Sequence, residues 1–372
     1  SVRMSKNIKI LFISHEPLTK SLSEMYCIDK LSEIFEVQFL SLRSYYYKKS
    51  FKYEDELKEK FIDFKKASSF IKYIKKNHNE STYLFIDNSS RSLKSIIINK
   101  FLKKYKLNHF ILYQSFIGKN FSKNNIFKKI LYYKDLNRLK FKIVSLFRIK
   151  KYNMVFSAGT IKPSVSAKKY INLNCSVCYI NDKEEDEKDD DLCVFIDQGY
   201  PTHPDLLKRN GNDMKTKEFI SLYNDFFDWI EKKFKCKVVI AKHPKSSVSD
   251  ECFDGRDIVV NQTAVLIKKS KLVIAHHSHI NNVAIQYYKP IILIYNDEMY
   301  KFSNNVIKHL NKLSELLGVN LVNITDKNKY YDVDIKLDKN KYNNYINDYI
   351  VVNHNKNNHQ IISESILNDY YT

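Results

Sequence analysis

The sequence predicts an α/β protein made of two doubly wound domains. Three observations carry this expectation. Short apolar runs alternate with longer amphipathic ones along the chain, the pattern of parallel strands joined by crossover helices. The chain has 372 residues, more than one average domain needs and comfortable for two. An acidic run with no apolar anchor, "NDKEEDEKDDD" at 181–191, breaks the alternation near the middle and reads as a solvated loop at the seam.

In the first half, "IKILFISH" (8–15) reads as a strand, 18–34 as a helix and "EVQFLSL" (36–42) as the next strand. "TYLFID" (82–87) is a strand followed by the amphipathic "RSLKSIIINKFLKKY" (91–105), and "HFILYQS" (109–115) and "NMVFSAG" (153–159) continue the series. The second half restarts with "LCVFIDQG" (192–199), then a helix over 216–234 that holds the single tryptophan, Trp229. "KVVIAKHP" (237–244), "DIVVN" (257–261), "KLVIAHHSH" (271–279) and "KPIILIY" (289–295) read as strands, with helices over 262–270, 280–288 and 300–317. The domains expected are 1–180 and 192–340, with a helical segment in 341–372 that packs back on the first. No solenoid repeat is present.

Composition excludes several classes. No run of eighteen uninterrupted apolar residues occurs, so no transmembrane helix is expected. No secretory signal precedes the first strand, and six scattered cysteines fit a reduced, cytoplasmic compartment. Cys175 and Cys178 form a CxxC without a second pair, so no metal site is expected. The formal charge is +20, and residues 101–150 hold thirteen Lys or Arg against one acid, Asp135. Such a field attracts phosphate-bearing partners. The stretch 127–152 mixes these cations with aromatic and aliphatic residues at helical intervals, which suits peripheral contact with an anionic membrane. Charge and 14% aromatic content also raise a nucleic-acid-binding protein as a different class. No zinc finger, RNA-recognition signature or helix-turn-helix is visible, and no nucleic acid is expected as partner.

In open α/β sheets, ligands sit beyond the carboxyl ends of the strands, so the polar residues just after each strand carry the information. The second half offers three such clusters. Asp197-Gln198-Gly199 ends one strand: the carboxylate is a candidate general base, and Gly199 allows a tight turn. His243-Pro244 ends another. Proline stops the ladder and biases His243 toward an extended backbone, which aims the imidazole at the sheet edge. His276, His277, Ser278 and His279 end a third, with Ser278 expected as helix N-cap and the helix start as an anion site. A second His-Pro, "THPD" (202–205), does not end a strand. In the first half, His15-Glu16, Asn88 and Gln114 follow strands but form no recognisable motif.

In this order, "DQG" (197–199), "HP" (243–244) and "HS" (277–278) resemble the motif set of bacterial sialyltransferases and polysialyltransferases. Gln198 stands where that family has a second acid, and His277 where it has the first serine. The resemblance spans about 192–295. It implies the GT-B architecture, two Rossmann-like domains facing across a cleft. It implies Asp197 as catalytic base and His243 as the group that contacts the CMP phosphate and helps it leave. It also sets Gly199, Pro244, His277, Ser278 and His279 around the nucleotide. The implied activity is metal-independent, inverting transfer of a sialic-, pseudaminic-, legionaminic- or Kdo-type sugar from a CMP donor, with no further cofactor. The implied acceptor is a bacterial surface glycan, capsule or lipopolysaccharide, free or lipid-linked. A CDP-polyol phosphotransferase and a UDP-sugar epimerase of similar frame are the alternatives within the enzyme class.

Overall fold

The computed structural model describes residues 7–47, 60–87, 90, 92–104, 108–113, 136–162, 165–176, 189–200, 202, 216–244, 246–302, 304–330 and 332–372. They form two compact α/β units. The first holds the described residues up to 176 together with 352–372, and the second holds those from 189 to 351.

Unit 1 is built on seven parallel strands. They are β1 (Lys9–Ser14), β2 (Glu36–Ser41), β3 (Phe61–Asp63), β4 (Thr82–Ile86), β5 (Asn108–Tyr113), β6 (Lys151–Ala158) and β7 (Ser166–Leu173), in the order β3-β2-β1-β4-β5-β6-β7. Its helices are α1 (Lys20–Met25), α2 (Ile28–Ser32), α3 (Arg43–Tyr46), α4 (Ala67–Asn77), α5 (Ser95–Lys104) and α6 (Leu136–Phe147). Alternation along the strands gives the sheet two apolar faces. Ile10, Phe12, Phe39, Tyr83, Phe85 and Phe156 bury one face, and Leu11, Ile13, Leu40, Leu84, Ile86 and Val155 bury the other. The single helix expected over 18–34 is two: Cys27 sits at φ 54°, in the left-handed region that breaks a helix. β3 and β7 escaped the sequence reading. The first has three residues; the second, SAKKYINL, is mostly polar or half-exposed, as edge strands are.

Unit 2 has six parallel strands, β8 (Asp189–Ile196), β9 (Lys237–Lys242), β10 (Ile258–Val260), β11 (Ser270–Ala275), β12 (Ile291–Tyr295) and β13 (Leu321–Asn323), in the order β10-β9-β8-β11-β12-β13. Around them lie α7 (Thr216–Phe234), α8 (Thr263–Lys269), α9 (Asn281–Gln286), α10 (Asp297–Phe302), α11 (Asn304–Leu317) and α12 (Lys339–Tyr345). α7 buries Phe219, Tyr223, Phe226, Phe227 and Ile230, a helical stripe. Tyr223 and Phe227 pack their rings on Phe195 of β8. β8 begins at Asp189, inside the acidic run expected as loop, because Asp189 pairs with Ser270 across a bulge; 181–188 lie outside the described residues.

The chain ends in α13 (Asn358–Tyr371), whose Ile362 and Ile366 join the first apolar face of unit 1. Asn174, after β7, clamps this segment. Its amide donates to the carbonyls of Asn353 and Lys356, each over 3.0 Å, and its carbonyl oxygen accepts from Val352 and Asn353 N–H, each over 2.9 Å. Asn174→Ala removes four hydrogen bonds at about 1 kcal/mol each. We expect it to cost unit 1 about 2–4 kcal/mol in urea unfolding and to open 352–372 to protease.

Candidate functional site

Register brings the predicted residues of unit 2 to one sheet edge. Ile196 pairs with Ala241 on one side and Ala275 on the other. Asp197, His243 and the 276–279 stretch therefore leave three adjacent strands at the same level. The strand order changes direction beside β8, since β9 and β10 lie on one flank and β11 to β13 on the other. That is where an open α/β sheet presents a crevice.

Asp197 is 5% exposed, and both carboxylate oxygens take backbone amides. Gly199 N–H donates to Oδ1 over 2.8 Å, and His243 N–H donates to Oδ2 over 3.2 Å. The first bond closes an Asx turn that needs Gly199 at φ 71°. The second ties the end of β8 to the end of β9. Burial pushes the Asp197 pKa up, and the bonds from Gly199 and His243 oppose that shift. His243 itself is half-buried and Pro244 exposed.

The histidines after β11 differ sharply from one another. His276 is a core residue, 1% exposed. Its Nδ1 lies 2.7 Å from the Ile294 carbonyl and its Nε2 2.8 Å from the Tyr223 hydroxyl. A carbonyl only accepts, so the ring proton is on Nδ1 and Nε2 accepts from Tyr223. Burial lowers the His276 pKa from 6.5 to about 4. His277 falls to about 4 as well, through burial first and then the charges of His309 and His279. Its ring lies 5.2 Å from that of His309 on α11. Burial also lowers His279.

Ser278 is not the helix cap. The cap position of α9 is Ile280, with no side-chain cap bond. A tight turn leads into the helix instead: the N–H groups of Asn281, Asn282 and Val283 donate to the carbonyls of Ser278, His279 and Ile280. These amides are satisfied within the chain, and the anion site expected from free amides at this helix start is absent. Ser278, His277 and His279 still line the same edge, all half-buried.

Three residues missed by the sequence reading belong here. Tyr223 holds His276. Asn281, 1% exposed, donates to the His276 carbonyl over 2.7 Å, yet its Oδ1 has no hydrogen-bond partner. Asn296, fully buried after β12, accepts from Met299 N–H, and its Nδ2 has none. Buried amide atoms without partners are rare and costly, about 1–3 kcal/mol each. The one available signal was position, since both follow buried strands. His203, Pro204, Asn88, Gln114 and Cys178 lie outside the described residues. Among those described, no group of three or more His, Cys, Asp or Glu is placed to hold a metal ion.

No family model matches the chain. No curated protein matches it either. Among solved structures it is similar to Acinetobacter baumannii MurG, at 8% identity and TM-score 0.49 over 97% of this chain and 99% of that one. A UDP-GlcNAc 2-epimerase from Methanocaldococcus jannaschii gives 11% identity and TM-score 0.44 over 98% and 99%. The spinosyn rhamnosyltransferase SpnG gives 8% identity and TM-score 0.43 over 91% of each chain. With every one of these scores under 0.5, the likenesses carry no argument; the topology of each unit stands on its own strand order.

The buried histidines set a pH dependence. An unfolded histidine binds a proton below about 6.5, whereas folded His276 and His277 do so only near 4. Protons therefore favour unfolding. The contribution of these two histidines is full above about 6.5 and is lost as the pH falls toward 4, by up to about 3 kcal/mol per histidine. His276→Phe keeps the ring volume but strands the Tyr223 hydroxyl and the Ile294 carbonyl. It should cost about 2–4 kcal/mol at pH 7 and flatten the acid limb of a melting-temperature profile.

Proposed function

We propose that this chain is a glycosyltransferase that takes a sialic-acid-like sugar from a CMP donor and transfers it to a glycan, with unit 2 holding the nucleotide. One observation carries the reading. At the switch point of its sheet, unit 2 brings His243, His277, Ser278 and His279 to one edge through strand register. Imidazoles and a hydroxyl at a strand-end crevice suit a phosphate.

In this reading Asp197 positions rather than reacts. Its oxygens are occupied by amides, and it fixes the backbone from which the His243 ring projects. As the glycosidic bond to the phosphate breaks, negative charge grows on the phosphate oxygens. The His243 imidazole N–H and the Ser278 hydroxyl are the groups of this edge suited to take it up. Donors organised in advance need no rearrangement during the step.

Nucleotide-dependent melting tests the donor. CMP should raise the melting temperature by several degrees, and His243→Ala should abolish the shift while the unliganded protein melts within a degree or two of wild type. CMP should also be released from one or more of a panel of CMP-sugars. A shift with UDP or CDP and none with CMP removes the CMP reading, leaving UDP-sugar epimerisation or CDP-polyol transfer.

The acceptor side suggests an anionic membrane. Of the basic stretch 127–152, residues 136–152 are described. Within unit 1, α6 exposes Ile143 and Leu146, and Leu93 and Ile97 are exposed on and just before α5. The two helices touch, with Lys100 Nζ 4.9 Å from the Phe147 ring centroid. Lys94, Lys103, Lys140 and Lys142 lie on the same pair of segments. Apolar side chains among lysines are the pattern of an interfacial surface. No helix among the described residues is long and apolar enough to cross a membrane. Sedimentation with phosphatidylglycerol vesicles should be strong and with purely zwitterionic vesicles weak. The double variant Ile97→Ser/Leu146→Ser should weaken it at least about tenfold; equal binding to both vesicle types removes the proposal.

A further inference from the structure

Unit 2 sets two thiols against each other, apart from its strand-end edge. Cys193 lies on β8, and Cys236 lies in the corner between α7 and β9. β8 and β9 pair in parallel, with Cys193 opposite Val238. Cys236 comes just before that pair, at the end of β9 opposite His243. Register therefore brings the two side chains within reach, and the thiols hydrogen-bond to each other. Both are free cysteines. Cys193 is fully buried and Cys236 half-buried. The Cys236 thiol also donates to the Ile230 carbonyl of α7, with Sγ 4.0 Å from the oxygen.

The groups around the pair give the two sulfurs different characters. Lys271 of β11 donates to the Phe234 carbonyl over 3.1 Å, which holds its charge beside the corner. Glu231 of α7 is engaged elsewhere: it accepts from Val238 N–H over 2.8 Å and from the Arg256 guanidinium over 2.9 Å. The hydrogen bond from Cys193 lowers the Cys236 pKa. Burial opposes that shift, Lys271 adds to it, and the carboxylates of Glu231 and Asp191 oppose it. The net direction is down. Cys193 moves the other way, first through burial and then through the same bond. The thiolate is the nucleophile in thiol chemistry. The more open sulfur is thus the reactive one, and the buried sulfur keeps its proton.

We infer that Cys236 is a site of reversible oxidation by a hydroperoxide, and that Cys193 resolves the oxidised sulfur into a disulfide. The Cys236 thiolate attacks the terminal peroxide oxygen and the O–O bond breaks. That oxygen stays on sulfur as a sulfenic acid, and the other leaves as hydroxide or alkoxide and takes up the proton that the thiol gave to water. The Cys193 sulfur then displaces the sulfenic oxygen. It departs as water, carrying its own hydrogen and the Cys193 proton. Two thiols are oxidised, losing two electrons, and one peroxide is reduced. Closing the bridge draws the sulfurs to about 2.05 Å. Cys236 stands outside the β9 ladder, so the corner can move toward β8 without breaking a strand pair. The bridge joins β8 to the start of β9, while the Asp197 carboxylate joins the same two segments beyond their far ends. The inference does not depend on the transferase reading.

Mass spectrometry on the folded full chain tests this. Reduced wild type, given a small molar excess of hydrogen peroxide, should lose two hydrogen atoms and yield a proteolytic peptide pair linking Cys193 to Cys236. Dithiothreitol should restore the starting mass. Before oxidation, iodoacetamide at pH 7 should alkylate Cys236 at least about tenfold faster than Cys252, which is also half-buried. Cys193→Ala should remove the bridge and leave Cys236 as a sulfenic acid that dimedone captures. Cys236→Ser should give neither bridge nor dimedone adduct at Cys193. The alkylation and cross-linking arms use wild type, so a variant that fails to fold does not blunt the test. Peroxide-treated wild type without the Cys193–Cys236 peptide, or alkylation of Cys236 no faster than of Cys252, overturns the inference.

Discussion

A buried carboxylate at the end of β8 organises the candidate site. Taking Asp197 out of water is unfavourable unless its oxygens find donors, and at a strand end the backbone supplies them. Pro244 has no N–H and ends the ladder. His243 is thus the last residue of that run able to offer an amide, and the amide goes to Asp197 rather than to a neighbouring strand. Gly199 supplies the second by turning into the left-handed region. Two loops that are 46 residues apart in sequence are joined through one side chain. That bond fixes the backbone that carries the His243 ring.

The same economy explains the string His276-His277-Ser278-His279. Where β11 stops, the first side chain still points into the layer between sheet and helix, so His276 must be satisfied by the core. Tyr223 from α7 and the Ile294 carbonyl from β12 do so. Its neighbours have left the strand and face the edge, where His309 from α11 meets His277. Asn281 then closes the turn by bonding back to the His276 carbonyl. One histidine is fully buried scaffold and two are half-buried at the edge, decided by a single residue step across the end of a strand.

Much of the fold was legible because buried parallel strands are near-continuous apolar runs. "KILFIS", "TYLFI" and "IILIY" leave no other reading. The edges were not legible, since β7 pairs through its backbone while its side chains stay largely wet. Neither was the break at Cys27, a conformation that nothing in the residue type announces. For the site, strand-end positions could be named but partners could not. Tyr223 lies 53 residues before His276, and Asp87 lies 72 residues beyond His15. Only register brings such pairs together. The expected cap at Ser278 failed for a local reason: the turn tightened by one residue, and its carbonyls consumed the amides first.

The two units treat one side chain in opposite ways. His276 and His277 of unit 2 meet a hydroxyl, a carbonyl and other imidazoles, none of which rewards a positive charge enough to offset burial, and they stay neutral. His15 of unit 1 is also buried, but carboxylates on both sides of its ring reverse the balance. The difference lies in the partners rather than in depth. The unit 1 edge thus holds a charged imidazole at neutral pH, and the unit 2 edge holds neutral ones. An imidazole balanced between two carboxylates is also the more readily altered of the two, because losing the exposed partner, Glu16, changes its protonation without disturbing the bond to Asp87 that holds the ring.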